Sequence, residues 1–533
     1  MRRLPLILLV PVLVVALGAC TRRAVGGGGE ARQPASTTVT TTTTATTMAA
    51  SGGVLTRDGL VEGGKSVRLR LQVERVERYR AYALLRFAVT NPTQQAAFTL
   101  DGFATSRAGT DMGGFGVVDP VGRKIYYSLH ERNEVGPAVG SRSPVNFKPG
   151  VRYEASVFYP PIPPQVKQIT VIPPGSFGPM TGVPVIDGGP QPQLPSTESN
   201  DSPQPGQTVT LAATLPGSNA WSEVDDLYSL VDGSAGISNR SSGSSEVVAL
   251  RTDVLFKFNS ADLTSTAKNV IAQIADDMAR RADPARTVGV TGHTDGKGTD
   301  AFNQTLSVHR AQTVRDELSR RLATRGFRFQ AAGKGERQPI AKETKADGSD
   351  NPQGRARNRR VEIAYHVKTT ADATSTTRSS PALGPNIGPP ASFRADMGPV
   401  VAQRTAGIGD SHNTSMRLDV HTFYRDGAYL VADFELTNLS DKWYNSSFDT
   451  FGTMDLIGAK FGGFTVVDPN KVRYFTVRKG PEGSVFYLSA GMGLLDPNVT
   501  VRKYVYYPAP PAGVTSVTFD AGPFGEISNV PIR

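Results

Sequence analysis

The chain has 533 residues, enough for three or four domains at roughly 150 residues each. Its 55 glycines and 38 prolines favour turns, linkers and β-structure over long helical bundles. A single cysteine excludes a disulfide framework, a Cys-based zinc site and an iron–sulfur cluster within one chain, and the six histidines show no metal-ligand spacing. The net charge of +10 raises the possibility of nucleic acid, so the position of that charge matters.

Met1-Arg2-Arg3 precedes an apolar run from Leu4 to Leu17, broken by Pro5 and Pro11. The run is shorter than the ~20 residues that span a bilayer and fits a signal peptide, residues 1–19. Leu17-Gly18-Ala19-Cys20 resembles the lipobox of bacterial lipoproteins. The resemblance implies cleavage before Cys20, acylation of its thiol, and export to the cell envelope with a membrane anchor. The alternatives are an uncleaved signal anchor or a buried structural cysteine. Residues 20–64, with Gly26 to Gly29 and a threonine tract from Thr37 to Thr47, lack core-forming residues and are expected to be a disordered tether reaching about 35–40 Å.

Two β modules follow, at 65–187 and 401–533. Tyr82-Ala83-Leu84-Leu85-Arg86-Phe87-Ala88-Val89-Thr90-Asn91 matches Tyr429-Leu430-Val431-Ala432-Asp433-Phe434-Glu435-Leu436-Thr437-Asn438. Gly113-Gly114-Phe115-Gly116-Val117-Val118-Asp119-Pro120 returns as Gly462-Gly463-Phe464-Thr465-Val466-Val467-Asp468-Pro469. Constant order and nearly constant offset indicate a duplicated domain. Alternating apolar positions punctuated by Asn91-Pro92 and the Asp-Pro pairs predict antiparallel sandwiches. They resemble immunoglobulin-like modules of secreted bacterial lipoproteins. Asp119 and Asp468 read as turn formers. The stretches 188–247 and 369–400 read as linkers, with a short helix expected within 215–235.

The central segment, 248–368, is expected to be an α/β layer of βαβαββ type. Val254, Phe256 and Phe258 alternate as a strand. Ala267, Val270, Ile271, Ile274, Ala275 and Met278 keep helical spacing up to Asp283-Pro284. Val288, Val290 and Gly292 form a second strand, and a second helix runs over 304–324. Phe327 and Phe329, then Val361, Ile363 and Tyr365, supply further strands, with both helices on one face. Residues 251–368 hold 22 Lys and Arg against 14 Asp and Glu, an excess equal to that of the whole chain from Cys20 onward. On an exported chain such a surface suits anionic wall polymer or lipid head groups, and nucleic acid is not the expected partner.

Four ordered blocks lie here: Gly292-His293-Thr294-Asp295, Asn303-Gln304-Thr305-Leu306-Ser307-Val308-His309-Arg310-Ala311, Gly333-Lys334-Gly335-Glu336 and Asn358-Arg359-Arg360-Val361-Glu362-Ile363. They resemble the OmpA-like peptidoglycan-binding domain. The resemblance implies that Asp295 and Arg310 hold diaminopimelate of the peptide stem. Asn303 and Asn259 would contact the ligand, Thr294, Leu306 and Ser307 would shape the pocket, and Arg359 would assist or serve structure. The chemistry suits the side chains: a carboxylate accepts the ammonium of the distal zwitterion, and a guanidinium grips its carboxylate. The alternative is a plain Asp295–Arg310 salt bridge. The loop 342–354 is longer than the family pattern and bears on the pocket rim. His293 and His309 lack a third ligand, so neither a metal nor another cofactor is expected. With no nucleophile–base pair or acidic dyad, a binding protein is expected rather than an enzyme. It would be a lipid-anchored envelope protein tying membrane to peptidoglycan; the alternative is an adhesion or envelope scaffold whose sandwiches bind a protein partner.

Overall fold

The computed structural model describes residues 53–533 except 62–65, 99–101, 105–109, 134–135, 200–201, 234–235, 258, 369–385, 409–413, 446–460, 481–485 and 492–493. The expected signal peptide, Cys20, nearly all of the tether and most of the 369–400 linker lie outside the described residues.

The first module has β1 (Leu55–Val61), β2 (Val67–Arg78), β3 (Ala83–Thr90), β4 (Gly116–Asp119), β5 (Lys124–Tyr126), β6 (Arg152–Tyr159), β7 (Gln168–Ile172), β8 (Met180–Asp187) and β9 (Thr208–Thr210). One ladder runs β1–β2–β3–β6–β9 and another β8–β7–β4–β5. Strand β1 therefore extends the module into the expected tether. Central strand β3 is buried on both faces, and Phe87 packs on Phe115 at 4.5 Å between ring centroids.

Next come β10 (Val224–Asp232), β11 (Ile237–Ser242) and β12 (Ser245–Arg251), then α1 (Thr252–Leu255), α2 (Ser265–Arg281), β13 (Val288–Gly292), α3 (Asp300–Arg321), β14 (Phe329–Gly333), α4 (Pro352–Asn358) and β15 (Arg360–His366). The central sheet runs β12–β15–β13–β14, with β13 and β14 parallel. Thr264 caps α2 by accepting from Ala267 N at 3.0 Å, and Arg280 and Arg281 close it where the helix dipole favours cations. Ala267, Ile271, Ile274 and Met278 of α2 join Ala311, Val314 and Leu318 of α3 and Val290 and Ile363 of the sheet in one core.

The last module has β16 (Val400–Ile408), β17 (Thr414–His421), β18 (Tyr424–Asp426), β19 (Tyr429–Asn438), β20 (Tyr444–Asn445), β21 (Thr465–Val467), β22 (Arg473–Phe475), β23 (Arg478–Lys479), β24 (Leu494–Leu495), β25 (Thr500–Pro508), β26 (Ser516–Asp520) and β27 (Glu526–Pro531). Its registers repeat those of the first module: Ala83 stands opposite Tyr159 and Leu430 opposite Tyr507, while Leu71 faces Val89 and Leu418 faces Leu436. The duplicated Thr-Asn ends also behave alike. Asn91 Nδ2 donates to the Gln95 and Phe147 carbonyls, and Asn438 Nδ2 to those of Lys442 and Leu495. Asp119 and Asp468 each accept two backbone N–H groups of the turn that follows.

Three expectations are corrected. The segment 188–247 holds strands β9 to β11 and the start of β12, and the helix expected within 215–235 is instead strand β10. Val224, Leu227 and Leu230 fit a helix by spacing, but β10 lies between sheet edges that need partners. It pairs with β5 through Val224–Asp226, with β23 and β22 through Leu227–Asp232, and with β11 through Ser229–Asp232. Finally, Val254 and Phe256 do not form the first strand of the central sheet. That strand is β12, and the chain turns through α1 after it, leaving Phe256 in a single bridge to Leu263.

The modules also meet through buried charge. On β12, Glu246 is 1% exposed and receives both Nη atoms of Arg281 at 3.0 and 2.9 Å. Arg281 Nε also reaches Asp277 at 3.0 Å, and Arg123, from the β4–β5 turn, stands 3.8 Å from Glu246 while donating to the Gly243 carbonyl. Between the two β modules, Thr170 Oγ1 donates to Asp426 at 2.7 Å and Ala428 N to the Pro120 carbonyl at 2.8 Å. Arg57, buried, donates to the Phe177 and Pro179 carbonyls at 2.8 Å, and burial beside Arg502 lowers its pKa to about 9.

Two predictions follow from these buried groups. Arg281→Met leaves Glu246 and Asp277 buried without their principal cation and should cost about 3–5 kcal/mol in denaturant unfolding; a loss below about 1 kcal/mol would reject the network's role. Burial pushes the Asp426 carboxyl up to about 6. A raised folded-state pKa contributes stability that is complete below the unfolded value near 3.8 and is lost as pH rises through about 6. Asp426→Asn should therefore gain on the native protein by up to about 3 kcal/mol between pH 4 and 7. Parallel pH profiles of unfolding would refute this.

Candidate functional site

Strand β13 delivers Asp295. Its last residue, Gly292, abuts α3 so closely that a Cβ there would overlap the Ser307 carbonyl, and Gly333 at the end of β14 meets the Ser307 side chain in the same way. Ser307 fixes the crossing, donating to the Gln304 carbonyl at 2.8 Å and accepting from Gly335 N at 3.0 Å. His293 N bonds the Arg360 carbonyl and Thr294 N that of Gly335, so the chain leaves the sheet along a set path.

The loop after Thr294 is held from three sides. Asn303, buried on the first turns of α3, donates to the carbonyls of Asp295 at 3.3 Å and Lys297 at 3.1 Å, and to Glu336 at 2.6 Å. Gly296 N donates to both carboxylate oxygens of Glu343 at 3.0 Å. Glu343 accepts in turn from Asn358 Nδ2 at 2.8 Å, and Asn358 Oδ1 takes the N–H groups of Ile340 and Ala341. The long loop 342–354 thus supplies the carboxylate that latches the Asp295 turn to α4, whose N-cap is Asn351, accepting from Gly354 N.

Asp295 and Arg310 do not pair with each other: no ion pair within 4.0 Å joins them among the described residues. Asp295 Oδ2 receives Arg359 Nη1 at 2.7 Å, with Arg355 Nε at 3.9 Å. This removes the plain Asp295–Arg310 salt bridge left open by the sequence. Arg310 is 6% exposed, its Nε bonds the Ser260 carbonyl at 3.1 Å, and its guanidinium carbon lies 5.3 Å from the Phe256 ring centroid. Neither Nη atom has a hydrogen-bond partner among the described residues. Burial lowers the Arg310 pKa, the nearby Arg359 cation lowers it further, and Asp295 opposes the shift. A buried cation without an anionic partner is costly, and this one has two donors left for a carboxylate.

The remaining expected residues divide. Asn259 is exposed and takes a left-handed backbone, φ 51°, immediately before the Ser260 carbonyl that holds Arg310. Thr294 is buried with its hydroxyl unpaired. Leu306 is half-buried, and no bond of its own ties it to the site. Asn303 and Ser307 brace the loop and the crossing. His293 is buried, and burial together with Arg360 lowers its pKa to about 4, which leaves the ring neutral at pH 7. Sequence reasoning missed Glu343, Arg355, Ser260 and Phe256, which lie outside the four blocks. It also gave no role to Glu336 and Asn358, which stand within them.

Residues 255–353 match the OmpA family. Outer membrane porin F of Pseudomonas aeruginosa is 39% identical over 123 residues, 23% of this chain and 33% of that protein. Outer membrane protein A of Bordetella avium is 35% identical over 119 residues, 22% of this chain and 55% of that protein. The chain thus spans between about a third and about half of these two relatives. Among solved structures, the cell wall anchor of the T6SS from Pseudomonas aeruginosa aligns at 33% identity over 25% of this chain and 89% of that one, TM-score 0.22. The peptidoglycan-associated lipoprotein from Burkholderia pseudomallei aligns at 25% identity over 21% and 88%, TM-score 0.17. Residues 255–353 carry the first three motif blocks on the strand ends and helix described above, the fourth following at Asn358–Ile363, and are a domain of the OmpA family.

Proposed function

We propose that the protein binds peptidoglycan noncovalently through the diaminopimelate of the stem peptide and ties the wall to a membrane. The observation that carries this reading is the buried Arg310 guanidinium, with free Nη donors beside the carboxylate of Asp295. The distal end of diaminopimelate presents a carboxylate next to an ammonium, the complement of that pair. Arg310 grips the carboxylate, Asp295 accepts the ammonium, and Arg359, already on Asp295, holds the acceptor in place. A stem ending in lysine lacks the carboxylate and would leave Arg310 buried without an anion, so the site discriminates by what it leaves unpaired. Asn259 and Thr294 face the ligand in this reading, Leu306 adds apolar contact, and no catalytic step is involved.

Cys20, acylated after removal of residues 1–19, is the membrane attachment, since two or more acyl chains give stable anchoring. The residues from Cys20 to β1 act as the tether. The two flanking modules are immunoglobulin-like sandwiches in this reading, supported by their repeated registers. They and the central domain lie on the envelope side facing peptidoglycan.

The mature chain should co-sediment with diaminopimelate-type sacculi and far less with lysine-type sacculi. Arg310→Ala or Asp295→Ala, each removing charge-assisted bonds of about 1.5–3 kcal/mol, should weaken retention by ten- to a hundredfold. Unchanged retention by both variants would overturn the site. Cys20→Ser should move the protein from the membrane to the soluble fraction of lysed cells; retention in the membrane would reject acyl anchoring.

A further inference from the structure

A second cleft, about 330 Å³, opens on the sheet face opposite α2 and α3, between β10–β11, β12, β15 and the last module. Five arginines line it, Arg240, Arg251, Arg357, Arg360 and Arg478, against two carboxylates, Asp232 and Glu362. Glu362 is already engaged, taking Arg240 at 2.8 Å and Arg360 at 2.7 Å on one oxygen. Arg251 bonds Asp253 through Nε at 3.1 Å. Arg357, on α4, makes no hydrogen bond and no ion pair within 4.0 Å among the described residues, its nearest compensation in the cleft being the Asp232 charge, and Arg478 rests over the Tyr487 ring at 5.7 Å. With Asp253 taking Arg251, the five arginines meet three carboxylates, and two positive charges remain uncompensated. The remaining wall is apolar: Tyr228, Leu230, Ile340 and Phe475, of which Ile340 is 45% exposed.

We propose that this cleft binds a phosphate monoester with an apolar body, the phosphate between Arg357 and Arg478 and the body against Ile340 and Phe475. A monocarboxylate would neutralise one of the two charges, whereas a phosphate monoester carries close to two at pH 7 and three oxygens that match guanidinium forks. The cleft is built from strand β10, α4 and β22–β23, so the ligand bridges the OmpA-family domain and the last module. It shares no lining residue with the Asp295–Arg310 pair, and the proposal does not depend on wall binding.

Phenyl phosphate titrated calorimetrically into the mature chain tests this, with inorganic phosphate and phenol as controls. Phenyl phosphate should bind more tightly than inorganic phosphate, phenol should not bind, and affinity should fall with salt. Arg357→Ala combined with Arg478→Ala should weaken phenyl phosphate at least tenfold, with an unchanged unfolding midpoint and unchanged sacculus sedimentation. Absence of binding, equal binding of phenol, or undiminished binding by the double variant would each overturn the assignment. Phenyl phosphate bound no more tightly than inorganic phosphate would overturn the role given to the apolar wall. Association of native and double-variant chains alike with phosphatidylglycerol vesicles, without phenyl phosphate binding, would place the anion preference on the surface rather than in the cleft and reject the proposal.

Discussion

Backbone hydrogen bonding by the nine residues Val224–Asp232 joins the first module, the OmpA-family domain and the last module. Its first residues complete a ladder of the first module, and its later ones complete one of the last. Its second edge starts the hairpin that becomes the outer strand of the OmpA-family domain. A strand in that position satisfies N–H and C=O groups that three separate domains would each have left at an edge. Leu227 and Val231 then join Val118 and Ile125 of the first module in the core of the last one, so backbone pairing and apolar burial act at the same place.

The charge network around Glu246 reinforces that joint. Arg123 comes from the first module, Glu246 from β12, and Arg281 and Asp277 from α2. Such a cluster contributes little net stability compared with apolar side chains of the same shape, yet removing one member leaves charge stranded in the interior. Its value lies in register: Arg123 donates to Gly243 only when the β4–β5 turn and the β11–β12 turn meet.

Much of the central domain was legible in its sequence because its elements are local. The apolar period of α2 up to Asp283-Pro284 and the glycines at positions 292 and 333 declare themselves within a few residues. The duplication was legible for another reason, since it needs only self-comparison, and the registers of the shared central strands agree with it. Strand β10 was not legible. Its apolar spacing fits a helix as well as a strand, and its conformation is set by partners more than 90 residues away at β5 and more than 240 away at β22. The sequence pointed to Asp295 and Arg310 through the motif blocks but carried no sign of which side chains they meet. Which arginine meets Asp295 depends on α4, a short helix whose position is fixed by Glu343 and Asn358 across a long loop.

Strand β12 has a practical consequence for how the OmpA-family domain can be isolated. The strand runs Ser245–Arg251, so cutting at residue 248 divides it, and cutting before Ser245 removes its neighbour β11. Either excision turns an interior strand into an outer one, with a row of N–H and C=O groups open to solvent and the apolar Val248 and Leu250 beside them. That is the arrangement by which sheets of separate molecules recruit one another. The smallest piece that keeps β12 paired on both sides is thus set by strand pairing, and it begins upstream of the region that carries the family's motifs.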